Sequence, residues 1–346
     1  MRWAQLARQP ALGLAGVTLV IPVMVVLGVG LGGAQNSLAT LGPLSTFALP
    51  VIAMIAFWWE DWPGTMLRAP LTGLIDTLLV ILAGVLFTIA GQAIVSHVDL
   101  RGVFDPTAGV RHATTFPATM PLAAAVFAAV LELTLVSEGW PLRRLNRFAG
   151  GIAALAVAWG FGILLYETLV ADAGGPVSRG QFGAALVCVA VLQVAFYVLL
   201  RGWPFCRIPS RPLRLASANL FVIAGGVGAC VALHRWAGLD PATVSAVAGA
   251  AVAAGLVIGM LFEGWLDSVL APPHARLASA IGLAIGTAVL YVGLRAYAGT
   301  TDFTHAGPQD WVAYAALNAI GAGVILHVAI GRRWPFGSPV GSRALT

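Results

Sequence analysis

The chain contains no lysine; all 19 of its basic residues are arginine. That absence excludes chemistry built on a lysine amine, such as a retinal or pyridoxal-phosphate Schiff base or a phosphate-loop lysine. Charge of either sign is scarce, at 10% of 346 residues, against about a quarter in soluble domains. Three cysteines do not make a disulfide framework. Cys188 and Cys230 fall in apolar runs and Cys206 in an arginine-rich loop, so three free thiols are expected. The patterns HExxH, G-x-S-x-G and CxxC are missing, as is a glycine-rich phosphate loop. The stretch "GLGGAQ" near Gly30 closes an apolar run and follows no strand, so it is no dinucleotide fingerprint. The net charge of +5 is spread over short loops, which gives no nucleic-acid footprint. No cofactor is expected, and enzymatic activity is not the first expectation.

What is present is hydrophobicity: 59% of residues are apolar and the mean hydropathy is +0.89. A helix needs roughly 20 apolar residues to cross a bilayer. Ten such runs occur, near 11–32, 43–60, 71–95, 118–138, 148–170, 180–201, 214–235, 242–263, 276–297 and 310–331. Runs such as Ala246 to Leu261 do not alternate as barrel strands do. The expected fold is therefore an all-α polytopic membrane protein with ten transmembrane helices in a single domain over 1–346. Arg101, Arg111, Arg179, Arg235 and Arg295 fall on one side; the other fourteen arginines, including Arg2, Arg8, Arg68 and Arg343, fall on the side of the N-terminus. Arginine bias marks the cytoplasmic side, so both termini are expected in the cytoplasm, across a bacterial cytoplasmic membrane.

The loops after the even-numbered runs repeat. They read "WWEDWPGTML" from Trp58, "SEGWPLRRLN" from Ser137, "LRGWPFCRIP" from Leu200, "FEGWLDSVLA" from Phe262 and "GRRWPFGSPV" from Gly331. Trp62, Trp140, Trp203, Trp265 and Trp334 recur as interfacial anchors. Proline follows four of them, and Leu266 stands in the fourth loop. Two residues before each tryptophan come Glu60, Glu138, Arg201, Glu263 and Arg332. These are expected to join neighbouring units through ion pairs with one another or with the helix-start arginines. Unit starts also match: "RQPALGL" at Arg8 with "RAPLTGL" at Arg68, and "RLASAN" at Arg214 with "RLASAI" at Arg276. Such periods define repeats, here five helical hairpins at about 8–65, 68–143, 147–206, 214–268 and 276–337. The first run follows arginines as a signal peptide does, but as half of the first repeat it is expected to be retained.

Five copies of like orientation do not make an inverted-repeat transporter; they suit a ring of quasi-fivefold symmetry. The odd runs carry 18 glycines and the even runs 8. Small residues allow close helix packing, so the odd helices are expected inside. Ten helices in five hairpins with an inner ring of odd helices resembles the tellurite-resistance/dicarboxylate transporter family, which includes the plant slow anion channels. The resemblance spans the transmembrane region in topology, with no motif matched residue by residue. It implies a central pore for small anions. The leading expectation is a membrane channel or transporter for a small solute, an anion by resemblance. The alternatives are a non-catalytic scaffold packed against other membrane subunits or copies of itself, and an intramembrane enzyme acting on lipid or isoprenoid.

Polar residues within apolar runs are functional candidates by default. Glu132 lies about two turns inside Glu138 and is either a cavity-facing proton acceptor or a partner for a neighbouring helix. Asp76 falls in the first turns of its helix, where the dipole favours a carboxylate. Gln193, Asn219 and Asn318 either knit helices or face a solute, and His327 is near an interface. Glu167, beside Tyr166, reads as surface. His97, Asp99, Asp105, His112, Asp302, His305 and Asp310 lie in the opposite loops without a recognised metal spacing, so no metal site is expected; His274 reads as solvated.

Overall fold

The computed structural model describes residues 8–30, 32–60, 62–67, 71–106, 115–304 and 306–337. Arg2, Arg68, Arg111 and Arg343 of the orientation reading, and His112 and His305 of the loop histidines, lie outside these residues. The described residues are almost entirely helical. Nine helices are long and apolar enough to cross a membrane: α1 Ala11–Val29, α2 Ala34–Trp58, α3 Leu71–Val95, α5 Arg147–Leu169, α6 Arg179–Leu199, α7 Arg211–Arg235, α8 Pro241–Leu261, α9 Pro272–Ala298 and α10 Pro308–Ile330. Between α3 and α5 stands a shorter apolar helix, α4, Met120–Val136.

Local chemistry sets several starts. Asn146, Ser178 and Asp240 accept hydrogen bonds from the backbone N–H groups of Ala149, Gln181 and Thr243, satisfying donors that a first turn leaves open. Pro241, Pro272 and Pro308 occupy first-turn positions of α8, α9 and α10, where a missing N–H costs nothing. The spans follow the hydropathy reading except in α2, which begins at Ala34 rather than near 43. The extension carries Gln35, Asn36, Ser37 and Thr40 and is followed by Pro43, so it did not read as a span. Its side chains have partners: Gln35 bonds the backbone and hydroxyl of Thr304, and Ser37 bonds the Tyr314 hydroxyl at 3.1 Å.

The expectation that odd helices lie inside is wrong. In their most apolar stretches 72% of α2, 61% of α8 and 67% of α10 is buried, against 11–28% for α1, α3, α5, α7 and α9. In α4, every residue from Pro121 to Leu131 except Ala124 is buried. The even helices touch in succession, α2 to α4, α6, α8 and α10, and α10 returns to α2. The odd helices surround them and turn Leu78, Ile81, Ile285 and Val289 outward.

The glycines explain the error. They do mark close approach, but of an outer helix onto an inner one. A Cβ on Gly91 would meet the ring of Phe47, one on Gly151 the ring of Trp59, and one on Gly226 the backbone of Val189 at 2.6 Å. Outer helices carry these glycines on the face that meets an inner helix and present bulk such as Leu78 and Ile285 outward.

Each outer helix packs most extensively on the even helix before it: α3 on α2, α5 on α4, α7 on α6 and α9 on α8. The first helix, with none before it, packs chiefly on α10. The Trp-containing loops thus join the closely packed pairs, and the fifth pair is formed by the two ends of the chain.

Candidate functional site

All five even helices lose their α-helical register before the tryptophan loop. Each ends in a π-helical turn, at Met54–Trp58, Glu132–Val136, Val194–Leu199, Val257–Leu261 and Leu326–Ile330. Glu60, Glu138, Arg201 and Arg332 follow at φ of 48–51°, in the left-handed region that non-glycine residues seldom occupy. Where Leu266 replaces proline, the chain continues as a short helix, Trp265–Val269. The last carbonyls of these turns are acceptors without an intrahelical donor. Arginines from later in the chain supply donors. Arg147 donates to the Trp59 carbonyl and Arg143 to that of Phe57. Arg333 donates to the carbonyls of Met260 and Leu261 at 2.7 and 3.0 Å.

Ion pairs link one loop to the next around this face. Glu60 pairs with Arg147 at 3.1 Å, Glu138 with Arg214 at 3.0 Å and Arg211 at 3.4 Å, Arg201 with Asp267 at 3.3 Å, and Glu263 with Arg333 at 3.2 Å. Four of the five charged positions two residues before tryptophan, Glu60, Glu138, Arg201 and Glu263, are thus matched by an opposite charge further along the chain. The tryptophans divide. Trp62 packs edge-on against Phe148, Trp203 lies under the Arg276 guanidinium at 4.9 Å, and Trp265 packs on Phe262. Trp140 and Trp334 are exposed.

Two cavities lie away from this face. The first sits on the axis of the inner helices, near the opposite face. It holds about 180 Å³ and is lined from all five even helices, by Thr46, Met120, Gly183, Ser245, Tyr314 and Asn318 among others. Asn318 Nδ2 donates to the Thr46 hydroxyl and to the Gly42 carbonyl at 3.4 Å. Asp310, which accepts from the Gly307 N–H at 2.8 Å, and Arg179, which pairs with Asp172, also line it. Towards the tryptophan face the inner helices are joined by buried apolar side chains, including Leu49, Ile52, Leu131, Val194, Leu256 and Ile325.

The second cavity is an apolar groove of about 560 Å³ lying between α5 and α7, over α4 and α6. Glu132 and Gln193 line it. Gln193, fully buried, donates from Nε2 to Glu132 Oε2 at 2.6 Å and to the Ala128 carbonyl at 3.0 Å.

Of the polar candidates from the sequence, the structure thus brings Glu132 and Gln193 together and puts Asn318 at the axial cavity. Asp76 is fully buried beneath the first tryptophan loop, where it accepts from the Gly64 N–H at 3.0 Å. Asn219 accepts from the Ser137 hydroxyl at 3.0 Å and donates to the Leu215 carbonyl, tying α7 to the end of α4. His327 packs edge-on against Phe336. In the opposite loops, Asp99 caps the short helix Leu100–Phe104 and Asp105 pairs with Arg101. Among the described residues no three of His, Cys, Asp and Glu gather as a ligand set. Sequence reading missed Thr46, Tyr314 and Ser245 at the axial cavity. Their only signal was a hydroxyl within an apolar run, which most often bonds its own helix, as Thr46 does with the Gly42 carbonyl at 2.7 Å.

Comparison of the chain with family models, with curated proteins and with solved structures finds no match.

Proposed function

We propose that this multi-pass helical chain is a channel or transporter for a small polar solute, and that the path runs along the axis of the even helices. The observation that carries this reading is the axial cavity, to which all five even helices contribute. In this reading the ten helices form a quasi-fivefold ring in a cell membrane, with the tryptophan face cytoplasmic as arginine bias favours. Its volume of about 180 Å³ suits a few waters, at about 30 Å³ each, or one solute of similar bulk. The lining favours a neutral solute over the anion that the family resemblance implies. Asp310 stands among the lining residues, and the only arginine there is already paired with Asp172. The apolar cluster on the tryptophan side closes the path in this state, so passage requires the inner helices to shift. The π-helical turns in all five are a fitting place for that movement, since such turns recur at functional sites.

The test is flux into proteoliposomes, with urea and glycerol as neutral solutes and chloride and nitrate as anions. Neutral-solute flux above empty liposomes is expected, and Gly183→Phe should abolish it. Gly183 lines the cavity and has open space where a Cβ would stand, so a ring attached there enters the path. No flux of any solute above empty liposomes refutes the reading; anion flux alone restores the anion assignment.

A further inference from the structure

The lateral groove has a polar end that its apolar walls do not explain. Its walls are alanines of α4 and α6 together with Phe161 of α5 and Ile223 and Val227 of α7. Those last three are among the exposed large apolar side chains, and they border an opening towards lipid. From Gln181, near the face opposite the tryptophan loops, to Gln193 is twelve residues of α6, or about 18 Å at 1.5 Å per residue. The groove is therefore long enough for an extended chain or an aryl-alkyl body.

At the deep end two buried oxygens have no hydrogen-bond partner, Glu132 Oε1 and Gln193 Oε1. The amide orientation is forced, because Gln193 Nε2 faces two acceptors, Glu132 Oε2 and the Ala128 carbonyl. Reversing it would set oxygen against oxygen. Both orphan groups are thus acceptors when Glu132 is ionised, and leaving buried acceptors unmet is costly. A saturated acyl chain would fill the volume and leave both unmet. An anionic head at the deep end would repel the carboxylate; His234 and Arg235 line the other end, near Gln181. Both oxygens are covered as they stand; a cationic head with N–H donors that draws the two side chains towards the groove satisfies both and balances the charge.

We propose that this groove binds amphiphilic amines, with the apolar body between α5 and α7 and the ammonium at Glu132 and Gln193. The volume lies in the usual range for small-molecule pockets, roughly 300–1,000 Å³. The site is off the axis of the inner helices and stands independently of the axial path.

The experiment is titration of the full-length protein in lipid nanodiscs with octylammonium, octanol and octanoate, with empty nanodiscs subtracted. Octylammonium should bind saturably and at least about tenfold tighter than either homologue, about 1.4 kcal/mol. Glu132→Gln retains a hydrogen-bonding side chain beside Gln193 and should remove that preference. Ala185→Trp, placed in the groove wall, should abolish octylammonium binding while leaving Glu132 in place, and it keeps the test open if the first variant does not fold. Equal binding of the three headgroups, or octylammonium binding unchanged in either folded variant, overturns the proposal.

Discussion

Glu138, in the loop after α4, receives two hydrogen bonds from Arg214 at the start of α7, Nε at 3.1 Å and Nη2 at 3.2 Å. The pair spans 76 residues of sequence and ties one loop to the helix that follows the next. Its fork geometry is the strongest that arginine and a carboxylate make. Both side chains are partly solvated, which limits the gain to roughly 0.2–1 kcal/mol. Arg214→Glu should lower unfolding stability by about that amount, and Glu138→Arg in the same chain should recover most of it. A double-mutant cycle in denaturant reads the coupling; strictly additive losses would show that the two residues do not interact.

Gly226 and Gly228 lie half a turn apart on α7 and should respond oppositely to alanine. A Cβ at 226 meets the Val189 backbone at 2.6 Å, whereas nothing stands within 4 Å at 228. Gly226→Ala should destabilise by about 1–3 kcal/mol, the usual cost of overpacking. Gly228→Ala should be neutral or stabilise by up to about 1 kcal/mol, through helix propensity. Thermal unfolding of the two purified variants compares them directly; a stable Gly226→Ala would mean that α7 does not seat on α6 this closely.

Asp240 caps α8 through the Thr243 N–H at 3.0 Å and hydroxyl at 2.6 Å. These hydrogen bonds hold its carboxyl below the ordinary aspartate range. A depressed folded-state value means the cap's contribution is present above the ordinary value, near 3.9, and is lost as pH falls through the lower folded value. Asp240→Ala should cost about 1 kcal/mol at neutral pH and Asp240→Asn much less. In the Asp240→Ala variant, stability should fall less steeply than wild type below about pH 4. Parallel acid unfolding curves for the two would show the cap to be idle.

Cys206 reports orientation without any substitution. It is exposed in the third tryptophan loop, while Cys188 and Cys230 are buried in one cluster between α6, α7 and α8. If the tryptophan face is cytoplasmic, a membrane-impermeant maleimide should label inverted vesicles and spare intact cells. Labelling of intact cells would reverse the assignment.

Much was legible without coordinates because a bilayer imposes one-dimensional rules. The apolar runs reported nine spanning helices and the shorter α4, and four of the tryptophan loops each join a closely packed pair. The charges before tryptophan pointed to links between loops, although Glu263 pairs with Arg333 rather than the adjacent Arg332. Glu132 stood out as a carboxylate in an apolar run, yet its neighbour Gln193 lies 61 residues away. No local pattern joins the two.

The sequence by itself determined the multi-pass membrane class and the approximate span boundaries, since these follow from the length and polarity of contiguous segments. Tertiary structure decided which helices are inner, which helices pair, and where the cavities lie. Glycine states that something comes close but not from which side, and the burial of a helix depends on neighbours that its own residues do not name. Gly226 against Val189 and Gln193 beside Glu132 are contacts between separate helices, and only the packed assembly brings them together.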